Sequence, residues 1–331
     1  MNRILDEVRS NPKRVIFAEG EEERTIRAAV SWRDSGYGDP ILIGRVDRVR
    51  EMMRKMGIAN GDNIEIVNAA LSPHVNQYID FLYRKLQREG FLYRDVARMV
   101  KNDRNTFAAC MLMMNHGDAM ISGLTRSYNR ALENISRVIP PCEGRIPFGI
   151  SMYVSKGRTI FISDTTVHEL PEKEVLCHIA ERSAHIARLF GHDPRVAFVS
   201  FSNFGNPLRE KSKRIRDAVA MMDTKKVDFE YDGEMNADVA LDKELMSLYP
   251  FCRLSGPANV LVMPALHSAN IASGILKELG EGAMIGPMIA GMSRPVQIVQ
   301  MNSSVSDIIN MAAIAAMEAI HWDELQEKVA A

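Results

Sequence analysis

Short apolar runs alternate with segments of helical period along almost the whole chain. "RVIFAE" (14–19), "PILIGR" (40–45), "IEIVNA" (64–69), "DAMISG" (118–123), "RVAFVSFS" (195–202) and "ANVLVMPAL" (258–266) read as strands. Between them, "MNRILDEVRSNPKR" is a charged amphipathic helix, and "GEEERTIRAAV" gathers Ile26, Ala29 and Val30 on one face beside Arg24 and Arg27. Helical patterns also cover roughly 74–87 and 94–114. Near-continuous apolar strands separated by helices indicate parallel sheets covered on both faces, so the pattern predicts the α/β class. One segment breaks the alternation. "FGISMYVSKGRTIFISDT" holds two apolar runs around Ser155-Lys156-Gly157-Arg158, a hairpin signal, and Pro140-Pro141 lies just before it. A domain boundary is expected near residue 142, with the hairpin opening the second domain.

Composition narrows the class. The chain has 331 residues, 46% hydrophobic and 25% charged, which is enough apolar material for about two domains. A net charge of −1 argues against a general nucleic-acid partner. The local basic run "REKSKRIRD" (209–217) reads as a solvated helix face. Cys110, Cys142, Cys177 and Cys252 form no CxxC pair, so free thiols in a reducing compartment are expected. No run of 18 uncharged apolar residues suggests a membrane span, and the first residues lack the apolar core of a secretory signal. The expected location is the cytoplasm.

Three strand ends are candidates for ligand contact, because open parallel sheets bind ligands beyond the carboxyl ends of their strands. Ser122-Gly123 ends one strand, and Thr125, Arg126 and Ser127 lead into a helix. Backbone N–H groups beside a guanidinium suit a phosphate there, although a plain strand-to-helix turn has the same sequence. "VSFSNFGNP" places Asn203 and Gly205 at a second strand end, where an amide and a close backbone approach suit a neutral ligand. "VLVMPALHSANIASGI" gives a third, with Ser268 or Asn270 as the helix cap. His267 lies in that stretch without an evident catalytic partner. His178 and His185 are seven apart rather than the four that a helical metal pair uses. No metal ligands are therefore assigned. Walker A, GxSxG and GxGxxG motifs are absent from the sequence.

Taken together, "VIFAEGEEERTIRAA", "NHGDAMISGLTRS", "GHDPRVAFVSFSNFG", "ANVLVMPALHSANIASGILKELG", "AMIGPMIAGMSRPV" and "SSVSDIINMAAIAA" resemble, in order, the blocks of the phosphate acetyl/butyryltransferases. The resemblance implies two α/β domains with mostly parallel sheets and an interdomain cleft, phosphotransacetylase-like and isocitrate/isopropylmalate dehydrogenase-like. It places 1–142 plus 296–331 in a discontinuous first domain and 143–295 in a second, dimer-forming domain. Such enzymes move an acetyl group between phosphate and coenzyme A. An aspartate takes the thiol proton, arginines hold the acyl phosphate, and a serine supports the carbonyl oxygen.

Laid on that block, "PVQIVQMNSSVSDI" puts Asp307 at the aspartate, Gln300 at the serine and Met301 at the arginine. A thioether cannot grip phosphate, and losing one positioned oxyanion donor costs roughly 3 kcal/mol in the transition state. Asp307 also has a local role available, since Ser304-x-x-Asp307 is a capping-box pattern. "SFSNFGNP", "SGPANVLVMPALHSANI" and "PVQIVQMNSSVSDIINMAAIAA" further resemble the C-terminal domain of large bacterial NADP-dependent malic enzymes. That resemblance implies a degenerate transferase module that binds acetyl-CoA, inhibits an N-terminal malic enzyme domain and supports a homo-oligomer, at least a dimer. NADP and a divalent metal would belong to the parent enzyme outside this chain. The implied acetyl-CoA cleft comprises Ser122, Gly123, Arg126, Arg130, Asn203, Gln300, Met301 and Asp307. Two alternatives remain open. One is a working phosphate acetyltransferase whose lost charge comes from Arg126, Arg130 or Arg294. The other is a purely architectural oligomerisation domain.

Overall fold

A computed structural model describes residues 1–58 and 61–322. The chain divides into two units, Met1–Gly144 with the chain from Met292 onward, and Arg145–Gly291. The boundaries fall at 144 and 292 rather than at the expected 142 and 296. The reason is local: Pro141 bridges Met292, and Ser293 N–H donates to the Pro140 carbonyl at 2.8 Å, so both crossing segments already belong to the first unit.

The first unit begins with α1 (Asn2–Ser10), β1 (Val15–Phe17), α2 (Glu23–Asp34), β2 (Pro40–Ile43), α3 (Val46–Lys55) and β3 (Glu65–Val67). It continues with α4 (Val75–Leu86), α5 (Tyr93–Asn102), α6 (Arg104–Met113), β4 (Ala119–Ser122) and α7 (Tyr128–Val138). The single helix expected over 94–114 is two helices. Asp103 adopts extended backbone between them, and its carboxylate accepts the Thr106 N–H at 2.9 Å, ending α5 and capping α6.

The second unit contains β5 (Phe148–Ser155), β6 (Arg158–Ser163), α8 (Lys173–Leu189), β7 (Arg195–Val199), α9 (Glu210–Met222) and β8 (Glu230–Met235). After these come α10 (Ala237–Leu241), α11 (Lys243–Ser247), β9 (Val260–Val262), α12 (Leu266–Leu279) and β10 (Ala283–Ala290). The chain then returns to the first unit as β11 (Val296–Ile298) and α13 (Val305–Ile320).

Among the described residues the first sheet runs β11-β4-β1-β2-β3, with every pairing parallel. Val15, Ile16 and Phe17 of β1 are fully buried at its centre. On α13, Ile308, Met311, Ala312, Ala313, Ile314, Ala315, Ala316 and Met317 are all buried, and its small residues admit close approach to α2 and β4. The second sheet runs β10-β5-β6-β9-β7-β8. Its β5–β6 hairpin and edge strand β10 are antiparallel and the rest is parallel. The fold is therefore α/β with one parallel and one mixed sheet. The described cysteines are free, and Cys110, Cys142 and Cys177 are buried. Burial pushes the Cys110 thiol up to about 12 and the Cys177 thiol up to about 11.

Candidate functional site

In the first sheet the chain leaves β1 toward β2 on one side, and β4 flanks β1 on the other. The carboxyl ends of β4 and β11 lie side by side next to that reversal, where open α/β sheets hold ligands. Val299 N–H donates to the Ser122 carbonyl at 2.7 Å, bringing the ends of the two strands together. Gly123 has φ +121°, and a Cβ placed there would lie 2.1 Å from the Val299 carbonyl oxygen, so only glycine fits this crossing.

The loop after β4 is already filled by an anion from within the chain. Glu19, 3% exposed, accepts the Gly123 and Leu124 N–H groups on Oε2, both at 2.9 Å. Its Oε1 accepts the Thr125 N–H at 3.2 Å and the Thr125 hydroxyl at 2.9 Å. The N–H groups that the sequence offers to a phosphate are thus held by a carboxylate, which corrects that reading. The Ser122 hydroxyl is likewise spoken for, donating to the Asn105 side-chain carbonyl at 2.7 Å in the core. Arg126 stays half exposed and pairs with Asp103 at 3.1 Å. Arg130, on α7, pairs with Glu133 at 2.7 Å, one turn along.

The loop after β11 is open. Gln300 is exposed, and its backbone N–H donates to the Ser303 hydroxyl at 3.1 Å. Met301 is 54% exposed. Asp307 sits in a capping box at the start of α13. Its Oδ2 accepts the Ser304 N–H at 2.8 Å and the Ser304 hydroxyl at 2.9 Å, and its own N–H donates to that hydroxyl oxygen at 3.1 Å. The cation at this loop is Arg24, from the first turn of α2. Its guanidinium donates to the Ser303 carbonyl at 2.6 Å and the Met301 carbonyl at 2.8 Å. Arg294 precedes β11 at the opposite end of that strand, so it does not supply charge to this loop.

Glu19 and Arg24 are the residues that the sequence reading missed. A signal was present for each. Glu19 directly follows a buried apolar strand, and Arg24 lies in the first turn of a helix, where the dipole disfavours a cation and a tertiary acceptor is needed.

In the second unit, Asn203 follows β7 and spends its side-chain carbonyl on the Asn236 N–H at 2.7 Å, pinning the chain after β8. The structure thus brings Ser122, Gly123, Gln300, Met301 and Asp307 to one edge of the first sheet, with Arg126 and Arg130 on the loop and helix after β4. Asn203 belongs to the other unit. His178 accepts the Ile146 N–H at 3.1 Å, and burial lowers its proton affinity, so it serves as a neutral structural ring. His267 is exposed on α12. The cap of that helix is Ala265 rather than Ser268 or Asn270, and the Ser268 hydroxyl donates to the Ala265 carbonyl at 2.7 Å. Not all of the basic run 209–217 is solvated. Arg214 donates to the Pro264 carbonyl at 2.9 Å, and Arg216 lies 3.7 Å from the fully buried Glu234.

Residues 1–316 match the Phosphate acetyl/butaryl transferase family. The chain belongs to that family. It is 48% identical over 320 residues to an NADP-dependent malic enzyme of Rhizobium meliloti, covering 96% of this chain but 42% of the relative. It is 28% identical to a phosphate acetyltransferase of Thermoanaerobacterium thermosaccharolyticum, covering 96% and 98% of the two chains. A phosphotransacetylase structure from Streptococcus pyogenes superposes with a TM-score of 0.88 at 26% identity, covering 97% of this chain and 99% of that one. The two-unit α/β scaffold is therefore that of the transferase family, and the chain spans under half the length of the malic enzyme it matches.

Proposed function

We propose that this chain is a catalytically degenerate phosphotransacetylase-like module of an NADP-dependent malic enzyme, binding acetyl-CoA as an allosteric inhibitor and supporting assembly. The observation that carries this reading is the loop after β11. Around it the family scaffold is whole, yet the exposed Met301 thioether and the Gln300 amide stand where transfer chemistry needs a phosphate-holding cation and an oxyanion donor. Asp307 is occupied by its capping box, so its presence is not evidence for proton abstraction. Acetyl-CoA binds at the edge formed by Ser122, Gly123, Arg126, Arg130, Gln300, Met301 and Asp307 of the first unit. The match to longer malic enzymes supports an N-terminal malic enzyme domain as the partner, and NADP and the divalent metal would belong there. Coupling of about 1–3 kcal/mol is the usual scale for such inhibition.

The assembly role rests on α12. Ile271, Ile275 and Leu279, spaced four apart, are 60%, 53% and 81% exposed and form one apolar stripe beside edge strand β10. A second copy of the chain is the occupant, and Ile275→Asp is expected to shift the sedimentation of the protein from dimer to monomer.

Calorimetric titration with acetyl-CoA, paired with an acetyl phosphate–coenzyme A transfer assay, tests the central reading. Binding without turnover is expected. No binding up to millimolar acetyl-CoA would leave the architectural role alone. One observation favours an active transferase instead: Arg24 already stands at the loop, a cation at a different position from the expected Arg126, Arg130 or Arg294. Turnover near about 10 per second, abolished by Arg24→Ala, would establish that alternative.

A further inference from the structure

Beyond the carboxyl ends of β1 and β2, three guanidiniums converge on one carboxylate. Arg45 hydrogen-bonds Glu21 through its backbone N–H at 2.9 Å, its Nε at 3.0 Å and its Nη2 at 2.9 Å. Arg104 Nη2 approaches Oε2 at 2.8 Å, and Arg48 stands off at 4.0 Å. A carboxylate has about four lone-pair sites, and the three Arg45 bonds with the Arg104 contact fill them. Arg48, whose side chain is 63% exposed, is left with no room on Glu21. Each guanidinium carries five donors, so most of the N–H groups in this cluster lie beyond what one carboxylate can accept.

The placement of these arginines is also locally unfavourable. Arg45 is the N-cap of α3, Arg48 lies in its first turn, and Arg104 opens α6. Helix starts favour anions and disfavour cations. Asp47, exposed on the first turn of α3, offsets part of the charge. Arg24 breaks the same rule and has its reason in the two carbonyls it holds. The arginines around Glu21 break it three times with one carboxylate between them. The hydrogen bonds of Arg45, helped by the charge of Arg104, hold the Glu21 carboxyl at about 2, so it is an anion throughout the physiological range and the surplus positive charge is permanent.

We infer that Arg45, Arg48 and Arg104 form a binding site for a phosphate group, with Glu21 as the brace that fixes the three guanidiniums. A phosphate fits because its oxygens accept forked N–H pairs and its charge satisfies two helix starts at once. The site lies on the β2 side of the sheet, three strand spacings or about 14 Å from the β11 loop, and its assignment does not depend on the acetyl-CoA reading.

The probe is inorganic pyrophosphate, titrated into the whole protein by calorimetry at fixed ionic strength. Saturable binding is expected, weakened about tenfold or more by Arg48→Ala and only partly rescued by Arg48→Lys, which keeps the charge but loses the fork. Arg48 is 63% exposed and stands 4.0 Å from Glu21, so Arg48→Ala is expected to move the thermal midpoint of the free protein little. Absence of saturable heat in the wild type, or equal affinity in wild type and Arg48→Ala, overturns the site. Acetyl-CoA titrated into the same variant identifies the source of the phosphate. A parallel loss of acetyl-CoA affinity assigns the group to coenzyme A. Retained acetyl-CoA affinity with lost pyrophosphate binding assigns it to a separate phosphorylated effector. Either result upholds the site.

Discussion

The loops after β4 and β11 leave neighbouring parallel strands at the same edge of one sheet, yet they are held in opposite ways. The β4 loop closes on itself. Its three N–H groups and one hydroxyl converge on the buried Glu19 carboxylate, leaving that anion site internally filled. The β11 loop is held by Arg24 on two of its carbonyls and by the Ser303 hydroxyl on the Gln300 N–H, while Gln300 and Met301 are exposed. The contrast separates scaffold from chemistry. Groups that maintain the fold are satisfied within the chain, whereas in the proposed reading Gln300 and Met301 are the exposed positions that would meet a substrate, and a thioether is unsuited to phosphate.

That division is tested most severely at Glu19. Glu19→Ala strands three backbone donors in the interior, and a loss of about 4 kcal/mol in urea unfolding is expected. Gly123→Ala comes next, at about 3 kcal/mol, because it forces a positive φ on alanine and drives Cβ against the Val299 carbonyl. Ser304→Ala removes the cap of α13 and is expected to cost about 1 kcal/mol. Smallest in stability is Arg126→Ala. It breaks a half-exposed pair with Asp103 worth under about 1 kcal/mol, yet acetyl-CoA affinity should fall about tenfold. An Arg126→Ala protein that binds acetyl-CoA normally would break the comparison, since the edge beside the two loops would then be scaffold alone.

Much of the fold was legible because buried parallel strands are nearly continuous apolar runs, as in Val15-Ile16-Phe17 and Val260-Leu261-Val262. Strand β8 was not, since "EYDGEM" carries three acids. Each acid is accommodated by a tertiary partner invisible to a local pattern: Glu230 by Ser255, Asp232 by Arg253, and Glu234 by Ser202 and the Gly205 N–H. The break at Asp103 was missed for a related reason. The apolar period runs on across it, and only the Asp103–Thr106 cap marks the stop. At the site, Gln300, Met301 and the Ser304–Asp307 box were readable from sequence, because the resemblance fixed their register. Glu19, Arg24 and the arginines around Glu21 were not, because their partners lie one or more strands away.

The discontinuous first unit also sets an order of assembly during synthesis. Unit two is one unbroken span and can collapse as soon as it leaves the ribosome. Its neighbour must wait: β11 is an outer strand of the parallel sheet, and α13 packs on β4 and α2, so the chain as far as Ile320 has to emerge before that sheet is sealed. Until then β4 presents an unpaired edge, and a nascent chain truncated ahead of β11 should be captured by holdase chaperones or lost to proteolysis.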